Sequence, residues 1–384
     1  MIPPMPRPTS RIGVIVPGNI ELGRAVLRGV RAWCDAHPGT ALEVMSTTEV
    51  IPAVEKVSPG MKCIVAQVGE GEGIQRLRDA GISVVTTSNR FVEKPHPKVI
   101  NDDTSVGRLA ADYLVGRGLR KFALLHAADS GGKPYAFSKE RGEGFVRQVE
   151  KAGGECRVFH LIGAGDALGC LRELTKFSAP VGIFAASDLH ARWIVECLPE
   201  PRKWIPDKMA VLGVDDDPLE CALSPIGLSS VRLAGERLGY EAAALGMHMV
   251  NGEPPPEVPI PLNVVSREST SVFAVEDAMV ARCLRLIRDR MQDLGDANEV
   301  VAAMGVPRRT LEWRFQRALG STVARELTRA RLRRAKELLA TTDLSVKEIA
   351  YLLGYSEPRM LSLVFKRETS EKPMEYRRRI RPGR

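Results

Sequence analysis

The sequence predicts an α/β domain followed by an all-α domain that carries two helix-turn-helix motifs. Three observations support this. From Arg11 onward, short apolar runs alternate with helix-spaced apolar patterns, as in a parallel sheet flanked by helices. A proline-dense stretch, NGEPPPEVPIPLN, then interrupts the pattern, and SREST closes the first region. Beyond Asp277 the β-type runs disappear, and one helical pattern occurs twice.

Residues 1–10, MIPPMPRPTS, are proline-rich and lack the apolar stretch of a signal peptide, so they read as a disordered arm on a cytoplasmic chain. RIGVIV follows as a buried strand, and Leu22 to His37 spaces Val26, Leu27, Val30 and Trp33 as one face of a helix. CIVAQV and SVVTTS read as strands on either side of the helical GIQRLRDAG. GRLAADYLVGRG is a helix, KFALLHA a strand and ERGEGFVRQVEKAG a helix, and VGIFAAS and MAVLGVDD continue as strands. Several strands end in Gly, Ser, Asn or Asp, which places polar groups at the carboxyl ends where open α/β sheets bind ligands. GEGEG, from Gly69 to Gly73, reads as a loop without the Lys-Ser/Thr of a phosphate-binding loop. No apolar run approaches the ~20 residues of a membrane span. Seven scattered cysteines, with no CxxC pair, fit reduced thiols.

The domain boundary falls near Ser271 to Glu276, giving a first domain over 11–271 and a second over 272–384. Charge divides the same way. Of the net +8, the segment from Asp277 to Arg384 holds 24 basic against 14 acidic residues, and the remainder is slightly acidic. A basic domain beside a near-neutral one points to a polyanion partner for the first and a small ligand for the second.

The first helix-turn-helix copy is DANEVVAAMGVPRRTLEWRFQRALG. Val300, Val301 and Met304 form a short buried face, Gly305 permits the turn, and Pro307 fits the first turn of the next helix. Leu311, Phe315 and Leu319 make the apolar stripe of that helix, leaving Arg308, Arg309, Thr310, Glu312, Trp313 and Arg314 to enter a major groove. The second copy is LSVKEIAYLLGYSEPRMLSLVFKRE, with Ser345 and Glu348 as a capping box and Gly354 at the turn. Its stripe is Leu361, Val364 and Phe365, and its DNA-contacting set is Ser356, Glu357, Pro358, Arg359 and Ser362. Between the copies, TVARELTRARLRRAKELLATT reads as one long helix that can hold the two recognition helices about one DNA turn, roughly 34 Å, apart. The competing reading is two helical hairpins in a bundle. The paired turn glycines, the matching prolines and the basic balance favour DNA binding.

From about Val300 to Arg379 the chain resembles the AraC-type DNA-binding domain, above all in AKELLATTDLSVKEIAYLLGYSEP and VFKRETSEKPMEYRR. It departs where Met360 and Leu361 replace a common Tyr-Phe pair and Glu371 a common glycine. The first region resembles the lactose-repressor-type effector domain through VINDDTSVGRLAADYLVGRGLRKFALL, SKERGEGF, PVGIFAASDLHAR, IPDKMAVLGVDDDP, LSSVR and SREST. That resemblance implies a two-lobed, periplasmic-binding-protein-like sensor. The combination is similar to that of xylose-operon activators, and no helix-turn-helix precedes Arg11.

What the resemblance implies is a sugar-responsive regulator, an activator of a pentose operon, acting as a homodimer on double-stranded DNA and engaging RNA polymerase. It places Asp188, Asp215 and Arg141 in the sugar site, with Asn19 and Arg24 contacting the ligand from the other lobe. As loop and cap residues, these side chains also have an ordinary structural reading. Asp102 and Asp103 are expected to cap a helix or shape the hinge. Asp215, Asp216 and Asp217 have no second acidic cluster beside them, so neither metal nor cofactor is expected. A sugar-binding transport protein is the alternative function. An enzyme is disfavoured: no G-x-S-x-G elbow is present, Cys63 opens a strand, and Cys156 lies in a loop. His126, His160 and His190 lack evident catalytic partners.

Overall fold

Strands of the first region divide between two sheets, which the alternation alone does not reveal. The structure, a computed structural model, describes residues 10–45, 57–67, 71–88, 97–177, 180–251, 262–271 and 277–380. Residues 1–9 of the expected arm and most of the proline-dense stretch lie outside the described residues, and Ser10 already belongs to a strand. The chain separates into two compact units, Met1–Val272 and Phe273–Arg384.

In the first unit, β1 (Ser10–Ile15), β2 (Thr40–Val44), β3 (Met61–Ala66) and β4 (Ser83–Thr86) pair in parallel in the order β2-β1-β3-β4. A second sheet holds β5 (Lys121–Ala127), β6 (Glu155–Leu161), β7 (Val181–Ala185), β8 (Met209–Val214), β9 (Ser229–Arg232) and β10 (Asn263–Val265). Its order is β10-β9-β8-β7-β5-β6, parallel apart from the antiparallel edge strand β10. The inner strands β7 and β8 are buried along their whole length, which is why VGIFA and MAVLGV read as unbroken apolar runs. β6 is an edge strand that exposes Glu155 and Val158, and Cys156 lies in it rather than in a loop. The loop expected at Gly69 to Gly73 is also corrected, because helix Gly71–Asp79 already begins at Gly71.

The lobes do not follow chain order. Helix Gly235–Asn251 comes after β9 of the second sheet, yet its Leu238, Ala242 and Ala243 pack with Ile12, Val14 and Val26 of the first. This return is possible because backbones approach closely. A Cβ at Gly29 would sit 1.9 Å from the Glu236 carbonyl oxygen, and one at Gly239 2.0 Å from that of Val26. The second lobe repeats the device where helix Asp103–Val115 crosses helix Ala136–Lys151: a Cβ at Gly107 would meet the Arg141 carbonyl oxygen at 1.8 Å.

The second unit has two cores strung on one helix. Val323, Leu327 and Ala330 of helix Val323–Thr341 pack with Val300, Met304, Leu311 and Phe315. Ala335 and Leu339 of the same helix pack with Ile349, Ala350, Leu353, Leu361 and Phe365. Asp296 caps helix Ala297–Met304, and Ser345 with Glu348 forms the expected capping box on helix Val346–Leu352. Pro358 occupies the first turn of helix Pro358–Thr369, whereas Pro307 sits one residue earlier, as the N-cap of helix Arg308–Leu319. Leu319 is exposed, so the first recognition stripe reduces to Leu311 and Phe315. No helix among the described residues is long and apolar enough to cross a membrane.

The helix crossing in the first lobe leaves no room for a methyl group. Gly239→Ala is expected to lower stability by about 1–3 kcal/mol, read as a lower urea midpoint. An unchanged midpoint would mean that the helices separate at no cost.

Candidate functional site

The carboxyl ends of the strands in both sheets face a shared cavity of about 490 Å³. From the first lobe come Asn19, Ile20 and Leu22 beyond β1, Gln67 beyond β3, and Thr87 and Ser88 beyond β4. From the second come Tyr135, Phe137 and Arg141 beyond β5, Ser187 and His190 beyond β7, and Asp215, Asp217 and Glu220 beyond β8. Asn101 and Asp103, where the chain crosses between lobes, complete it. The Gln67 Oε1, Thr87 Oγ1 and Asn101 Oδ1 atoms are buried and make no hydrogen bond to any described residue. Unsatisfied buried acceptors cost stability, and in a cavity they are positions where a ligand repays the cost.

Arg141 anchors the second-lobe wall. Its guanidinium is buried, donating to Asp103 Oδ1 at 2.7 Å and to the Ala186 carbonyl oxygen at 2.6 Å, and it lies 4.9 Å from the Phe137 ring centroid. Asp215 Oδ1 stands 4.0 Å from Arg141 Nη1. Burial pushes the Asp215 carboxyl up to about 7; Arg141 opposes this, while Asp217, Asp103 and Glu21 add to it. Asp215 also holds a φ of 109°, a left-handed conformation that a non-glycine residue adopts only when its surroundings impose it. His190, with Nδ1 2.7 Å from Ser187 Oγ, is driven down to about 4 by burial and is neutral at neutral pH. His126 is likewise lowered to about 4, by burial first and by His160 second. Burial pushes the Cys63 and Cys156 thiols up to about 12, so neither is a thiolate at neutral pH.

The three consecutive aspartates diverge. Asp215 faces the cavity, whereas the buried Asp216 accepts from Arg232 Nε at 2.7 Å and Arg267 Nη2 at 2.6 Å. Asp217 reaches across the cleft. It accepts the Glu21 backbone N–H at 2.9 Å and Arg24 Nη2 at 3.2 Å, while capping its own helix, Pro218–Leu223, through Leu219 N–H at 2.8 Å. Helix Glu21–Ala36 of the first lobe has no capping side chain of its own, and the second lobe supplies one.

The structure therefore brings Asn19, Arg141 and Asp215 to the cavity but not Arg24 or Asp188. Arg24 is engaged by Asp217 and Glu21 instead. Asp188 is fully buried behind the wall, where it accepts the Asp217 backbone N–H at 2.8 Å. It fits because Gly213 has no side chain: a Cβ there would lie 2.1 Å from Asp188 Oδ1. Burial, with Asp215 adding, pushes the Asp188 carboxyl up. Of the two residues expected as cap or hinge, Asp102 caps helix Asp103–Val115, and Asp103, where the chain crosses between lobes, also lines the cavity. Gln67, Thr87 and Ser88 carried a signal, since each lies within two residues of the end of a strand. Tyr135, Phe137 and Asn101 carried none.

In the second unit, residues opposite the buried stripe form the outward face of each recognition helix. About 120–180° around the helix from the Leu311 and Phe315 stripe lie Arg309, Thr310, Trp313, Gln316 and Arg317, all exposed. The equivalent face of the second helix carries Arg359, Met360, Leu363, Lys366 and Arg367, also exposed. Arg308 projects from the first turn and bonds Asn298. Glu312 and Arg314 lie to the sides: Glu312 accepts the Val323 N–H at 3.3 Å, and Arg314 pairs with Asp277 at 2.7 Å. Ser356 and Glu357 are exposed ahead of the second helix, with Pro358 and Ser362 half-buried. Gln316, Arg317, Met360, Leu363, Lys366 and Arg367 were missing from the sequence-based set; counting from the buried stripe finds them.

The buried Arg331 ties the two halves together. From the middle of the long helix it donates to the carbonyl oxygens of Leu294 and Gly295 before the first motif, and to that of Gly354 at 3.1 Å in the turn of the second. Its guanidinium lies 4.7 Å from the Tyr355 ring centroid. Gly354, at φ 74°, is needed there twice over, because a Cβ would also meet Arg331 Nη2 at 2.9 Å.

Residues 111–270 match the family described as periplasmic binding protein-like domain, and residues 300–379 match a helix-turn-helix domain family. The chain is 28% identical over 382 residues to the xylose operon regulatory protein of Haemophilus influenzae, covering 96% of this chain and 98% of that one. Identity to the protein of the same description from Escherichia coli K12 is 26% over 381 residues, covering 96% of each. A solved structure of the xylose-binding transcription activator xylR aligns with a TM-score of 0.67 at 24% identity, over 96% of this chain and 97% of that one.

Two outcomes are expected. The folded Asp215 carboxyl ionises near 7 and its unfolded counterpart near 4, so the stabilisation from its proton is complete below about pH 4 and gone above about pH 7. Asp215→Asn should therefore match the parent at pH 4 and become the more stable chain as pH rises to 8, in thermal melts. A difference that grows toward low pH would contradict this. Arg331→Met should weaken binding to DNA spanning both recognition helices by tenfold or more, because the two motifs lose their common tether. Unchanged affinity by fluorescence anisotropy would show that the cores hold their spacing without it.

Proposed function

We infer, from a chain that sets an AraC-type helix-turn-helix domain behind a periplasmic-binding-protein-like sensor, that this protein is a sugar-responsive transcription regulator and an activator of a pentose operon. The observation that carries the sugar reading is the lining of the cleft. Carboxylates and a guanidinium stand beside unpartnered amide and hydroxyl oxygens, a set that matches vicinal hydroxyls with charge-assisted hydrogen bonds. The cavity's arginine, Arg141, is already paired with Asp103 at 2.7 Å, which leaves no free cation among the described lining residues for a phosphorylated or acidic sugar and favours a neutral one. Tyr135 and Phe137 add aromatic surface for the C–H faces of a sugar ring. The relatives are named for xylose, which makes D-xylose the first candidate.

Regulation follows from the cleft having two walls. A sugar touching both lobes binds the closed arrangement more tightly than an open one, and that difference is the free energy available for switching. Asp217 biases the balance by capping the helix of the opposite lobe. In a cytoplasmic homodimer the two helix-turn-helix units would meet paired DNA sites, and contact with RNA polymerase would complete activation. The basic helical unit has no role in a transport protein, which sets that alternative aside.

A thermal-shift panel of pentoses and hexoses, followed by electrophoretic shifts on the adjoining intergenic DNA, tests this reading. D-xylose or a close pentose should raise Tm and change DNA retardation, and Asp215→Ala should lose the sugar response while still binding DNA. If no sugar stabilises the chain and no intergenic fragment is retarded, the reading fails.

A further inference from the structure

The two recognition helices present chemically different faces. Exposed positions on helix Arg308–Leu319 are Arg309, Thr310, Gln316 and Arg317, with the Trp313 ring centroid 5.4 Å from the Arg317 guanidinium. The same positions on helix Pro358–Thr369 put an apolar pair at the centre: Leu363 is 62% exposed and Met360 42%. Leu363 lies directly opposite the buried Leu361 and Phe365, where a groove-bound helix points at base edges. Arg359, Lys366 and Arg367 surround the pair. Arg359 and Arg367 make exposed ion pairs with Glu357 and Glu368, which a phosphate can displace.

We propose that the second recognition helix selects thymine-rich half-sites, through contacts of Leu363 and Met360 with thymine 5-methyl groups. The proposal rests on the reading of this unit as DNA-binding. The thymine methyl is the distinctive apolar group in the major groove, whereas guanine, cytosine and adenine offer donors and acceptors there. Leucine has no hydrogen-bonding atoms in its side chain and methionine only a weak acceptor. Against a G·C pair they would strip water from polar base edges and return nothing, which costs affinity. The cationic frame suits a polyanion and disfavours an apolar protein partner on this face. Arginines match on the two helices (Arg309 with Arg359, Arg317 with Arg367), so the half-sites differ where Thr310 and Trp313 of the first helix give way to Met360 and Leu363 of the second.

The test begins with the full chain and duplexes selected from a random-sequence library. Thymines of the selected sequence are replaced by uracil, which removes the 5-methyl and leaves base pairing unchanged. Each replacement within one half-site should weaken binding by about fourfold, the effect of exposing one methyl-sized group. Leu363→Ala should reduce or abolish that uracil penalty in the same half-site and leave the other half-site's sequence preference unchanged. Leu363 is exposed, so this variant should fold, and a melt of the variant checks it. Tight binding that is indifferent to uracil would overturn the proposal while leaving DNA binding intact. Failure to select any sequence would overturn both. Indifference to uracil together with loss of self-association in Leu363→Ser would assign the patch to a second copy of this chain.

Discussion

The geometry of the sensor cleft depends on one carboxylate. Asp217 accepts the Glu21 N–H and the Arg24 guanidinium from the opposite lobe while capping its own helix. The first-lobe helix begins without a cap of its own, so the partial positive charge at its N-terminus is met across the cleft. Asp217 itself is positioned from behind, by its backbone N–H on the buried Asp188, which in turn needs the absence of a side chain at Gly213. The order of dependence runs from glycine to buried carboxyl, to backbone turn, to the bridge between lobes.

This arrangement separates the work of adjacent residues. Asp215, strained at positive φ, faces the ligand space; Asp216 neutralises Arg232 and Arg267 within the second lobe; Asp217 bridges to the first. A carboxyl whose ionisation is shifted toward neutral pH, beside a buried arginine, can either accept from or donate to a ligand hydroxyl. The cost of holding it there is a stability that depends on pH.

The second unit applies a similar economy. One long helix gives its first half to one core and its second half to the other, and Arg331 at the midpoint gathers carbonyl oxygens from both. Orphan carbonyls at a loop and a turn are thereby satisfied by a side chain between them. The recognition helices are thus held by a shared element, and their outward faces differ in chemistry.

Much of this was legible in the sequence because it is local. Apolar periodicity placed β1, β3, β5, β7 and β8 and the helices of both motifs, and Ser345 with Glu348 announced a cap that a three-residue spacing suffices to build. Glycine at 305 and 354 marked the turns for the same reason: a positive φ is a property of one residue. Other features required the tertiary structure. Nothing local distributes strands between two sheets, since helix Gly235–Asn251 returns to the first lobe through contacts some two hundred residues distant in sequence. For the same reason Asp188 and Arg24, polar residues at plausible places, turn out to serve the wall and the bridge, whereas Asp103 and Asp217 reach the cavity. The sequence by itself determined which residue types stand at strand ends and on helix faces. Which of them meet across the cleft was decided by packing, because burial and charge pairing are properties of position in space.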